Sequence, residues 1–254
     1  MMMKKTMILT LAALAAAETF AIQGSVSTEA ETFAGDIKWR ARDKKYVVEK
    51  GKITKEFRLD DVTELDIAKP AGYDKAVQAV DEGQGASAIP TLTKIVSDYK
   101  MLKWDKPAGR YLALAHLAAG NAQKAYDACQ PIIAEDKSAA YAGDLAAAYW
   151  QALLKLGKTE QLEGLLKKAA SSGDRASSAA ALVMRGDIIV AASNDKPDEL
   201  RSALRDGYLR VVLMYRDADC ARERGEACMK AAQCFDKLGQ SARAEQLRAQ
   251  AKGA

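Results

Sequence analysis

Histidine is almost absent from this chain of 254 residues, which contains one, His116. A single histidine cannot supply the clustered imidazole ligands of a typical zinc site. The chain also lacks a glycine-rich phosphate loop, a nucleophile elbow and a paired-carboxylate motif. We therefore predict no catalytic residue, no cofactor and no metal, and we interpret the protein as non-enzymatic. His116 is expected to be a packing residue of a helix.

Cysteine is scarce too: the chain has Cys129, Cys220, Cys228 and Cys234, with no Cys-x-x-Cys spacing. Cys228 and Cys234 lie on one predicted helix, about 9 Å apart along its axis, which is beyond disulfide reach. The sequence leaves two states open. Either Cys220 bridges to Cys228 or to another molecule, or all four thiols are free and buried.

Neither sign of charge dominates, and aromatic residues make up only 6% of the chain. The 38 Lys and Arg residues against 34 Asp and Glu give no general reason to expect nucleic acid or an acidic membrane as partner. Few aromatics and abundant alanine favour close-packed helices over a β-sandwich.

Residues 1–21 have the pattern of a secretory signal peptide. Lys4 and Lys5 precede an apolar run at residues 7–17, and residues 19–21 (Thr-Phe-Ala) form a small-x-small cleavage site. The run is well short of the roughly 20 residues that cross a bilayer. We predict a periplasmic or otherwise exported protein with no integral membrane segment after signal removal.

Residues 22–68 alternate between apolar and polar side chains, which is typical of half-buried β-strands. Ile37 and Trp39 would share one face of a strand, and Ile53 and Phe57 one face of another. Gly51 suits a tight hairpin turn. Four or five short strands resemble a small SH3-like or Sm-like barrel, so we predict a small N-terminal β-domain.

The segment from Asp36 to Arg58 has nine Lys and Arg against four Asp and Glu. One hypothesis is that this β-domain binds an anionic polymer of the cell envelope, with the helices as spacer or oligomer interface. The other is that these charges are solvated and protect sheet edges from pairing with other chains. We favour the second, because the aromatic residues of the segment fall largely on the inward face.

A glycine recurs every 37 residues, at Gly83, Gly120 and Gly157, between stretches of helical periodicity. Glycine suits the left-handed cap that ends a helix, so each one marks a tight turn between two antiparallel helices. Repeats of this length indicate stacked supersecondary units. Gly239 lies 82 residues beyond Gly157, which predicts an insertion near residues 194–198 or 217–223.

Alanines recur at fixed distances from these markers, where helices must approach closely. They lie seven residues before a marker (Ala76, Ala113, Ala232) or five after it (Ala88, Ala125, Ala244). The pattern resembles the tetratricopeptide repeat (TPR) family, most clearly at residues 120–126 and 237–244. The resemblance implies a mainly α, TPR-like α-solenoid of about five helix pairs at residues 69–254. We expect it to be irregular, because the spacing here is 37 residues whereas the family's unit has 34.

The resemblance also implies that the first helix of each pair lines a groove for a partner's peptide. The candidate groove residues stand ten and six positions before the markers: Tyr73, Val77, Arg110, Leu114, Ala147, Gln151, Met229 and Gln233. We therefore expect a protein or peptide partner in the cell envelope and no nucleic acid. A homo-oligomer is compatible with this interpretation. The predicted function is that of an exported adaptor or scaffold.

Overall fold

The computed structural model describes residues 22–253, so the predicted signal peptide lies outside the described part of the chain. A small sheet comes first, formed by β1 (Ile22–Thr28), β2 (Thr32–Arg40), β3 (Lys45–Lys50), β4 (Ile53–Arg58) and β5 (Val62–Ile67). The strands are antiparallel in the order β4-β3-β2-β1-β5. A short 3-10 turn, Leu59–Asp61, joins β4 to β5.

The predicted period-two pattern is present in these strands. Val26, Ile37 and Val48 are fully buried on one side of the sheet, and Phe57 is 7% exposed. The inward position predicted for Ile53 is wrong, because this residue at the start of β4 is 56% exposed. It lies at the hairpin end of the sheet, beyond the side chains that cover the core.

Helices make up the rest of the described chain. They are α1 (Tyr73–Asp81), α2 (Gly85–Asp98), α3 (Asp105–Ala118), α4 (Ala122–Glu135), α5 (Ala146–Lys155), α6 (Thr159–Ala170), α7 (Arg175–Ser193), α8 (Pro197–Ala203), α9 (Leu209–Met214), α10 (Ala221–Lys237) and α11 (Ser241–Ala251). Residues 204–208 form a π-helical segment that joins α8 to α9, and we call the whole unit at residues 197–214 the α8–α9 helix.

The five predicted helix pairs are present. They are α1 with α2, α3 with α4, α5 with α6, α7 with the α8–α9 helix, and α10 with α11. The first helices of the pairs, α1, α3, α5, α7 and α10, also pack on one another in that order and form one layer. Alanine dominates many of these contacts, with Ala113, Ala152 and Ala231 fully buried, so the helices can approach closely.

The turns between paired helices are left-handed, as predicted from the glycine markers. Gly83, Gly120, Gly157 and Gly239 have φ angles of 78°, 75°, 68° and 72°. Asn194 occupies the next place in the series, 37 residues after Gly157, and has a φ of 47°. Asparagine is the residue that most readily replaces glycine in this conformation, so the repeat continues through Asn194.

The extra length in the fourth unit lies in helices, not in either predicted loop. The α8–α9 helix has segments of 7, 5 and 6 residues, 18 in all, whereas α2 and α4 have 14 each. A π turn accommodates extra residues inside a continuous helix. Here it brings Gly207 against Gly186 of α7, while Tyr208 Oη donates a hydrogen bond to Asp187 Oδ1 at 2.7 Å.

The sheet and the helices share a core. Met101 and Leu102, in the loop between α2 and α3, are 8% and 3% exposed and pack among the buried side chains of the sheet. Tyr46 Oη donates to the carbonyl of Met101 at 3.0 Å, and Trp104 Nε1 donates to the carbonyl of Ile67 at 3.0 Å. The Asp105 carboxylate accepts the backbone N–H of Met101 at 2.8 Å, which fixes the shape of the inserted loop.

Candidate functional site

An open cleft of about 410 Å³ lies in the layer of first helices, between α5, α7 and α10. Its walls are mostly small, because alanine occupies the facing positions of all three helices. The lining alanines are Ala146, Ala147, Ala176, Ala180, Ala218 and Ala221. Trp150, fully buried, also lines the cleft, and its Nε1 donates to the carbonyl of Ala140 at 2.8 Å.

Charged groups at one end of the cleft come from three helix starts. Glu223 is only 2% exposed and accepts hydrogen bonds from Arg222, whose other nitrogen lies 3.4 Å from Asp144. Asp174 caps α7 by accepting the N–H groups of Ala176 and Ser177. With Asp219, the lining holds four carboxylates against the guanidinium of Arg222, so the cleft is acidic within a chain of net charge +4.

The predicted groove residues lie on the first helices, but only Ala147 lines this cleft. Tyr73 is 8% exposed, with its ring 5.2 Å from that of Trp104 and 6.4 Å from that of Tyr111. Burial, assisted by Tyr111 and Asp144, raises the pKa of Tyr73 to about 12. Tyr73 is therefore a packing residue at the edge of the layer.

The remaining candidates divide into two groups. Val77, Arg110, Leu114 and Gln151 are half-buried, and the Arg110 guanidinium stacks 5.0 Å from the ring of Tyr111. Met229 and Gln233 are exposed on α10. They are two and three turns away from Arg222, about 10 to 16 Å along the helix axis, so the structure does not bring them to the cleft.

Sequence reasoning missed the contribution of α7. This helix lines the cleft through Ala176, Ser177 and Ala180 in its first turns. Because α7 has 19 residues whereas α5 has 10, offsets counted back from Asn194 do not reach these positions. The Asp174 cap of α7 was the available signal, since it marks the true start of the helix.

The histidine and the four cysteines are half-buried or buried among the helices. His116 is half-buried, and burial together with Lys124 lowers the pKa of its imidazole. All four cysteines are free and buried, and burial raises the pKa of the Cys129 thiol to about 12. Within residues 22–253 no three His, Cys, Asp or Glu side chains are grouped as metal ligands.

Arg40 and Lys45 have carboxylate partners in the turn after β2 and on β4. Arg40 contacts Asp43 at 2.7 Å and Glu56 at 2.8 Å, while Lys45 contacts Glu56 at 2.9 Å. These cations hold the pKa of Glu56 at about 2. These ion pairs occupy Arg40 and Lys45 but leave the segment's surplus of Lys and Arg unchanged, because Asp43 and Glu56 belong to the same segment.

Helix α7 meets the length and hydropathy criteria for a membrane span, with 19 residues and a mean hydropathy of 1.3. Core helices of globular proteins meet the same criteria. Here Ala179, Val183 and Met184 of α7 are buried against neighbouring helices.

The helical part of the chain is TPR-like. It is an array of antiparallel helix pairs joined by left-handed turns. No protein-family model matches the chain, and no curated protein sequence does. Two solved structures of a Podosopora anserina protein, described as a kinesin light chain with nearly identical TPR-like repeats, are similar at 16% identity. Each match covers 71% of this chain and 91% of the other chain, with TM-scores of 0.41 and 0.40.

Proposed function

We propose that this protein is a non-enzymatic, protein-binding scaffold that holds a segment of a partner along its first helices. The observation that carries the proposal is the open, alanine-walled cleft between α5, α7 and α10. Small side chains there leave room for the side chains of an incoming segment. A rigid array loses little conformational entropy when a partner binds.

The lining of the cleft favours a segment that carries lysine or arginine. Four carboxylates face the cleft, and Arg222 is the one cation in its lining. A cationic side chain would meet Asp144 and Asp219 at the mouth, where both are exposed to solvent. Attraction of this kind would weaken as salt is raised.

We further propose that the scaffold acts in the cell envelope. The predicted signal peptide at residues 1–21 supports export, after which the chain would be periplasmic or otherwise exported. The proposed division is a β-domain at residues 22–68 and a TPR-like domain at residues 69–254. Five strands with a 3-10 turn before the last one support the SH3-like description of the first domain.

The alternative, in which the basic β-domain binds an anionic polymer, has less support. Arg40, Lys45 and Lys38 each lie within 3.2 Å of a carboxylate. A polymer would have to displace these partners before it could bind these three cations.

Photo-crosslinking in cells separates the two hypotheses. A photoreactive amino acid is placed in the full chain at Ala147 in the cleft, at Arg42 in the turn between β2 and β3, or at Glu163 on α6 as control. We expect a discrete protein adduct from position 147, identified by mass spectrometry, and no more than background from the other two. An adduct from position 42 alone, or equal adducts from 147 and 163, would reject the cleft as the binding site.

Export is tested on the same material. Mass spectrometry of the N-terminus should find the chain beginning at Ile22 in the envelope fraction. An intact Met1 in the cytosolic fraction would contradict the proposed export.

A further inference from the structure

The lengthened α8–α9 helix ends with apolar side chains that are exposed to solvent. Leu213 and Met214, in its last turn, are 61% and 60% exposed. The other exposed large apolar side chains of residues 22–253 are Ile53 and Met229, whose exposed fractions are lower, at 56% and 43%. Neighbouring exposed apolar residues indicate a surface that becomes covered by a partner.

Next to them lies a shallow groove of about 410 Å³, outside the layer of first helices. One wall is a stripe at four-residue intervals along the α8–α9 helix, consisting of Arg201, Arg205, Leu209 and Leu213. Residues four apart lie on one face of a helix. The other wall comes from the end of α10 and the start of α11, where Phe235, Leu238 and Arg243 lie.

The rim of this groove is strongly basic. Arg201, Arg205, Arg210 and Arg243 all line it, and the lining contains no Asp or Glu. Two neighbouring carboxylates reduce the charge, since Asp198 pairs with Arg201 at 2.8 Å and Asp206 with Arg205 at 2.9 Å. Four guanidinium groups against two carboxylates leave the groove positive.

The partner of this groove must differ from the partner of the cleft. The cleft carries four carboxylates and one cation, whereas the groove carries four cations around an apolar floor. A segment that suits one surface would be repelled by the other.

We propose that this groove is a second docking surface, which binds an acidic amphipathic helix of a partner protein. Apolar side chains of that helix would cover Leu209, Leu213 and Leu238. Its carboxylates would meet the arginines, whose planar guanidinium groups suit bidentate pairing with carboxylates.

The shape of the surface selects a helix over a flat membrane. An amphipathic helix is a cylinder that lays its apolar stripe into a groove between two walls. The floor residues Leu204 and Phe235 line the groove and are only 4% and 8% exposed. A lipid surface would touch the arginines and Leu213 but would leave the floor uncovered.

The test is selection from a random peptide library against the full chain. Displayed peptides of about 16 residues are long enough for about four helical turns. The groove variant carries Arg205→Gln, Arg210→Gln and Leu213→Gln. The matched control carries Lys52→Gln, Arg58→Gln and Ile53→Gln, which removes two exposed cations and one exposed apolar residue from the sheet. Circular dichroism checks that both variants fold.

We expect one class of selected peptides to combine Asp or Glu with apolar residues three and four apart. Synthetic versions should bind the wild type and the control equally, and the groove variant at least about tenfold more weakly by calorimetry. If no such class is selected, or if the groove variant binds these peptides like the wild type, the proposal is wrong. Peptides that bind the cleft are distinguished because the groove substitutions leave them unaffected.

Two further measurements address other occupants. If phosphatidylglycerol vesicles bind the wild type and not the groove variant, and no acidic peptides are selected, the surface binds lipid and the proposal is overturned. The same holds for a second copy of the chain if sedimentation shows a dimer that the groove substitutions dissociate. Failure of crosslinking at Ala147 would reject the cleft and leave this result unaffected.

Discussion

At the scale of single residues, charge pairing in the sheet is the feature that sequence could not supply. Counting charges along β2 to β4 found nine cations and four carboxylates but not which of them pair. The register pairs Arg40 with Lys45 and Lys45 with Arg58. Glu56, two residues before Arg58 on the same face of β4, contacts both Arg40 and Lys45. Pairing across strands depends on register, and the local pattern of one strand does not specify its neighbour's offset.

This pairing predicts an unusual titration. The pKa of Glu56 should be about 2, lowered from its usual 4.5 chiefly by the hydrogen bond from Arg40. Because the folded-state pKa is depressed, Glu56 contributes stability above about pH 4.5 and loses it as pH falls towards 2. NMR titration of the Glu56 carboxyl measures the value, and Arg40→Gln should move it upward. A pKa near 4.5 in the wild type would contradict the pairing.

A second residue-scale prediction concerns the contact of α7 with the π segment. A Cβ at Gly207 would lie 2.8 Å from the backbone N and Cα of Gly186. Gly207→Ala should therefore lower the free energy of unfolding by about 1–3 kcal/mol. Gly164 on α6 is the control, because its Cβ would meet no atom within 4 Å. Gly164→Ala should raise stability by up to about 1 kcal/mol, and urea denaturation compares the two.

At the scale of helices and turns, the sequence was informative because each signal was local. The glycine series predicted the left-handed turns, and period-two alternation predicted the sheet. A further unit is expected near Asn194, 37 residues after Gly157, but it aligns poorly because the glycine is missing there. Asparagine replaces it, as one of the few other residues that adopt this conformation readily. The π segment left no signal, since its sequence continues an ordinary helical pattern.

The turn at Asn194 gives a prediction at this scale. Its φ of 47° is tolerated by asparagine and glycine but costs other residues about 1–2 kcal/mol. Asn194→Gly should leave the free energy of unfolding within about 0.5 kcal/mol of the wild type, whereas Asn194→Ala should lower it by about 1 kcal/mol. Thermal and urea unfolding measure both. Equal stability of the two variants would show that the left-handed turn is absent.

At the scale of the whole molecule, the sheet depends on the helices. The sequence favoured a boundary at residues 68 and 69, but Met101 and Leu102 from beyond it pack in the sheet core. No local pattern could predict this insertion, because both residues read as ordinary loop positions before Asp105 starts α3. A fragment that begins after residue 70 would expose both side chains.

The shared core predicts which strands lose stability when Leu102 is truncated. Leu102→Ala should lower the stability of the sheet by about 2–5 kcal/mol, the usual cost of truncating a buried leucine. Hydrogen exchange by mass spectrometry should show amide protection falling in β2 and β3 while that of α10 is kept. Leu247→Ala, in α11 and 8% exposed, is the control and should act on the C-terminal helices. Equal loss of protection in β2 from both variants would contradict the local role of Leu102.

The inserted loop also sets an order for events during synthesis. All five strands emerge from the ribosome before Leu102, which follows the last strand residue, Ile67, by 35 positions. Until that residue emerges, the nascent sheet lacks the side chains that complete its interior. The apolar side of the strands would therefore stay incompletely covered while α1 and α2 are synthesised. Chaperones that recognise exposed apolar strands could bind during that interval.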